Sequence, residues 1–67
     1  MAIVKIIEVI GSSEKSFDDA ARNAVSEASR TVKNIKSINI QNFNAKVSGD
    51  KITTYGVNAK ISFEVNP

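Results

Sequence analysis

Residues 53–65 read TTYGVNAKISFEV. Tyr55, Val57, Ala59, Ile61, Phe63 and Val65 alternate with Thr54, Asn58, Lys60, Ser62 and Glu64. An extended chain with that period of two buries one face and wets the other. Gly56 stands among the polar residues with no side chain at all. Glycine weakens a strand interior and marks a bulge or a close backbone approach. Position 56 therefore raises a question of its own, whether something fills the gap or a side chain is missing from a site.

Working outward, SGDK (Ser48 to Lys51) is a hairpin turn. The stretch before it, IKSINIQNFNAKVS over residues 35–48, reads as the partner strand. Ile38 and Ile40 share one phase, whereas Phe43, Ala45 and Val47 fall in the other. Such a slip near Gln41 and Asn42 predicts a bulge that re-aims the side chains. With a simple hairpin register, Gly56 lies opposite roughly position 43 and Ser37 opposite roughly position 62. At ~3.3 Å per residue, Ser37 and Gly56 are then about 20 Å apart within one hairpin. Both sit on the face turned away from the helix, with the polar strip Asn39, Gln41, Asn42 and Asn44 alongside. One small-ligand pocket can use both positions only if two subunits each supply one.

Toward the N-terminus, AIVKIIEVI (Ala2 to Ile10) is a β-branched strand, and Gly11-Ser12-Ser13 is a turn signal. Ile3, Ile7 and Val9 make one face apolar, and Val4, Ile6 and Ile10 do the same for the other. A strand apolar on both sides needs cover on both, and another subunit is the expected second cover. Ser16 opens a helix as N-cap, with Asp19 three residues on in a capping-box variant. Phe17, Ala21, Ala24, Ala28, Val32 and Ile35 give a narrow apolar stripe suited to close packing against a sheet. Asp18 and Asp19 face the positive end of the helix dipole, with Arg30 and Lys33 near the other end. The chain is thus an α+β domain of order β-α-β-β over residues 1–67.

Composition narrows the chemistry. Cysteine and histidine are both absent from the 67 residues, which removes disulfides, thiolate zinc sites and the usual nucleophile and base. A core this small is marginal alone, so self-association is the remaining support. The net charge is +2, but the nine lysines and arginines are scattered singly, so nucleic-acid binding is not expected. Lys5 and Glu8 break the N-terminal apolar run, and nothing approaches a membrane span, so a cytoplasmic protein is expected. Gly11, Gly49 and Gly56 are isolated and form no phosphate-binding motif. Asp18, Asp19, Glu14 and Asp50 are oxygen donors that a hard cation could use, although helix capping and turn chemistry already account for the aspartates. Enzyme activity is not expected.

The order KIIEVIGSS, SFDDAARNAV, TVKNIKSINI and KITTYGVNAKISFEV resembles the dodecin family over almost the whole chain. The resemblance implies a three-stranded antiparallel sheet wrapped around one helix, assembled into a hollow homododecamer that stores or sequesters flavin. Flavin-binding members carry a stacking tryptophan early in the second strand and a glutamine in the third that bonds the ring's polar edge. Aligned without gaps, those places fall at Ser37 and Gly56. The resemblance thus implies a ligand site at Ser37 and Gly56 that has lost both reading side chains. An indole supplies ~150–250 Å² of stacking surface that serine lacks, and glycine makes no side-chain hydrogen bond. FMN or riboflavin is expected to bind at least ~2 kcal/mol more weakly, over tenfold in affinity. Relatives without the tryptophan have been associated with calcium, which makes a calcium-binding or purely structural assembly the alternative function.

Overall fold

The computed structural model describes residues 3–65. Strand β1 (Ile3–Ser13), helix α1 (Phe17–Ala28), strand β2 (Ile35–Ser48) and strand β3 (Lys51–Val65) follow in that order. The sheet is antiparallel with β3 in the centre, in the order β1-β3-β2. This is the expected β-α-β-β arrangement, and β2 has the expected boundaries.

The first strand is longer than expected. Gly11-Ser12-Ser13 does not turn but continues β1, pairing with Val57, Gly56 and Tyr55. The reason lies across the sheet. A Cβ at Gly11 would lie 2.8 Å from the Cβ of Ala24 and would also collide with the carbonyl oxygen of Ala20. The glycine is there because the helix backbone rests on it. The expected start at Ala2 lies outside the described residues.

Helix α1 begins as expected, with the Ser16 hydroxyl accepting from the Asp19 backbone N–H at 3.0 Å. The Asp19 carboxylate does not close a capping box. It accepts a 2.6 Å hydrogen bond from the Ser13 hydroxyl, tying the helix start to the end of β1. The buried stripe is Ala20, Ala24 and Ala28, with Ala20 in the place expected for Ala21. The helix stops at Ala28, so Val32 and Ile35 are not on it and no basic residue occupies its last turn. A ridge of three alanines, spaced four residues apart, offers the closest approach, and Gly11 completes it; the broader stripe would have required a longer helix than the connection to β2 permits.

Val57, Ala59 and Ile61 of the central strand complete the core beneath that ridge. Phe17 stacks edge-on against Tyr55 and Phe43, with ring centroids 5.0 Å and 5.2 Å away. The helix lies mainly against β1 and β3 and meets β2 little. Consequently β2 and the hairpin tip run on uncovered, and the molecule measures 52 × 19 × 13 Å. Its radius of gyration is 13.7 Å, against about 11 Å for a compact chain of this length. It exposes 4966 Å² of surface, about 850 Å² beyond what its mass predicts for a monomer.

Candidate functional site

Ser37 and Gly56 share the outer face of the sheet, away from α1, as the alternation requires. Ser37 pairs with Ser62, as the simple register has it; Gly56 pairs with Asn44 rather than position 43. Six residues of β3 separate the two pairs, close to 20 Å at the rise of a strand. The expected bulge lies between Ile40 and Asn42, and two further register shifts lie between Ile35 and Ser37 and between Lys46 and Val47. Both leave a trace in the residues, since Ile35 and Ile38 lie in opposite phases about Lys36, as do Ile52 and Tyr55 about Thr53, but a single apolar residue beyond the slip does not define a phase. Asn34, with φ of +64°, leads into β2, and its carbonyl accepts the Glu64 N–H at 3.0 Å. That contact fixes where β2 starts and hence where Ser37 falls.

The gap at Gly56 is occupied. The Asn44 carboxamide lies over it, with Cγ 3.2 Å from where a Cβ would stand. Asn44 Nδ2 also donates to Asn58 Oδ1 at 3.1 Å, which holds the amide in place. Gly56 is buried for this reason. In the sequence Asn44 is one of a polar strip and no signal singles it out, because the contact runs across strands. Ser37 is hydrogen-bonded to Ser62 through its hydroxyl and remains exposed. Neither position presents an apolar plane, and the structure does not bring the two together within one chain.

Beside Asn58, a concavity of about 590 Å³ on the outer face is lined by Glu8, Val9, Ile10, Gln41, Asn42, Asn58, Ala59 and Lys60. Its lining is mixed, with one carboxylate, one ammonium and three carboxamides beside Val9, Ile10 and Ala59. Among the described residues, no three carboxylates, histidines or cysteines converge into a set that could hold a metal ion. Asp50 lies in the hairpin turn beyond the helix, Glu14 follows β1, and Asp19 is engaged by Ser13. Among the described residues, no helix is long and apolar enough to cross a membrane.

Comparison with known proteins gives a consistent family. The dodecin family model matches residues 3–66. The calcium dodecin of Mycobacterium tuberculosis is 30% identical over 67 residues, spanning 100% of this chain and 94% of that protein. Its solved structure, described as a calcium chelating immunodominant antigen with a novel calcium-binding site, superposes with a TM-score of 0.82 at 32% identity. That match covers 97% of this chain and 93% of the other. A point variant of the Thermus thermophilus dodecin gives a TM-score of 0.95 at 18% identity, with full coverage of both chains. The dodecin of Streptomyces coelicolor gives 0.94 at 24% identity, covering 98% of this chain and 94% of that one. The backbone is thus nearer to the more distant sequences.

Proposed function

The chain belongs to the dodecin family, and from that membership we propose that it is a non-catalytic subunit of a homododecameric binding or storage shell whose flavin site is degraded. The observation that carries the reading is the Asn44 carboxamide seated over Gly56. A ring that lay against the central strand at Gly56 would first have to displace that amide and break its bond to Asn58. At the other position, Ser37 offers a small hydroxyl engaged with Ser62 where an aromatic plane would be needed. Assembly is supported by the surplus surface and by the large apolar side chains left exposed. Ile10 is 77% accessible, Val47 63% and Ile6 60%, and exposed apolar surface of this kind marks interaction sites.

A second reading, a calcium-binding or structural shell without an organic ligand, is favoured by the 30% identity to a calcium dodecin. Calcium takes six to eight oxygen ligands, and the described residues of a single chain do not gather a carboxylate cluster for it. A calcium site here has to draw on amide or backbone oxygens, or on a neighbouring copy.

Titration of the purified assembly with riboflavin and FMN, followed by fluorescence quenching with mass read by light scattering, tests the first reading. A dodecamer with no quenching at micromolar flavin is the expected result, and tight stoichiometric quenching overturns it. Melting the same sample with calcium and with EDTA tests the second. Calcium-dependent stabilisation supports it, and coincident curves reject ion binding.

A further inference from the structure

Two apolar patches lie on opposite faces of the sheet and at its opposite edges. At the β1 edge, Val4, Ile6 and Ile10 project from the outer face, with Glu8 in their midst. At the β2 edge, on the helix side, Ala21, Arg22, Val25, Ser26 and Ile38 line an open groove of about 370 Å³. Phe43, paired with buried Val57, continues that strip toward the tip.

We infer that these two patches are the two halves of one head-to-tail contact between copies of this chain, with Glu8 of one copy set against Arg22 of the next. The inference rests on the shell reading above and specifies its interface. A neighbour seated on the outer face at β1 is on the wrong side of the sheet to reach the strip beside β2. The contact therefore passes from copy to copy, and a shell requires that the series close into a ring. Charge selects this pairing over self-pairing. The outer face at β1 is net acidic, with Glu8 among its apolar residues and Glu64 and Lys60 beside them on β3, whereas the groove beside β2 carries Arg22. Joining unlike patches brings those charges together, whereas joining like patches opposes them. Glu8 and Arg22 are both exposed, and the ion pair found among the described residues, Arg30 with Glu27, involves neither. Lys60 is the cross-strand neighbour of Glu8, yet it makes no ion pair with it. The surplus of about 850 Å² is also the area that one partner contributes to a standard interface.

Charge reversal provides the test. Glu8→Arg, Arg22→Glu and the double variant are compared with the unmodified protein by sedimentation and light scattering across a dilution series, with circular dichroism at each point. Unmodified protein that stays monomeric overturns the shell reading itself, before any variant is considered. Given an assembled parent, each single reversal is expected to raise the concentration for half-assembly more than tenfold, and the double to recover most of that loss. Single reversals that leave assembly unchanged overturn the contact. So does a loss confined to Glu8→Arg, which would indicate β1 patches pairing with each other through Lys60. If the single variants unfold as they dissociate, the double still decides. Recovery of mass and helical signal supports the pairing, and failure to recover rejects it.

Discussion

Gly11 and Gly56 are both buried glycines inside strands, and a different kind of neighbour buries each. Over Gly11 lies the backbone of helix α1, with the Ala20 carbonyl and the Ala24 Cβ in the space a side chain would need. Over Gly56 lies the far end of one flexible side chain, Asn44, from the next strand. The first glycine lets two elements of the fold touch. The second lets a polar side chain fold down onto the outer face, where it changes the surface presented to a ligand. Equal burial therefore has unequal consequences, because a helix cannot step aside and an asparagine can.

Substitution separates the two cases. Gly11→Ala forces the helix off the sheet, and overpacking of this kind costs about 2–3 kcal/mol. The measurement is thermal unfolding at matched subunit concentration, since association also shifts the midpoint. For a domain of this size the loss corresponds to a Tm lower by roughly 8 °C or more; a shift under 2 °C would show that the helix is not seated on Gly11. A smaller effect is expected at the helix start. Ser16→Ala removes the acceptor for the Asp19 N–H and costs about 1 kcal/mol, read by the same melt. Asp19→Ala keeps that N–H but removes the carboxylate that accepts from the largely buried Ser13 hydroxyl, and should cost about as much as the cap variant, roughly 1 kcal/mol.

The smallest effect, and the most diagnostic, is at Gly56. Gly56→Ala displaces Asn44 from Asn58, yet alanine also restricts the unfolded chain, so the net change is expected within about 0.5 kcal/mol. In an Asn44→Ala background the obstruction is gone, and the same substitution should stabilise by roughly 0.5–1 kcal/mol. A double-mutant cycle reads the difference as a coupling between positions 44 and 56. Zero coupling would mean that Asn44 does not occupy the gap.

Much of this molecule was legible in its residues. The period of two in β3 and the Ser48–Lys51 turn placed the hairpin, and the serine cap placed the helix start, because these are local rules of backbone geometry and orphan hydrogen bonds. The phase slip at Gln41 revealed a bulge, since a slip between buried phases leaves a trace. At Lys36 and Thr53 only one apolar residue, Ile35 or Ile52, stands beyond the slip, and one residue does not define a phase.

The residues alone determined a β-α-β-β chain, placed Ser37 and Gly56 on one outer face, and led to the expectation that so small a core is supported by association. Only the tertiary structure decided that Gly11 continues a strand rather than ending it, because turn and close approach call for the same glycine. It likewise decided that the helix ridge runs through Ala20 rather than Ala21, because burial depends on which side the sheet lies. It alone placed Asn44 over Gly56, since a contact between residues twelve apart on different strands follows from register, and a phase slip shows that a bulge exists without fixing which residues it pairs.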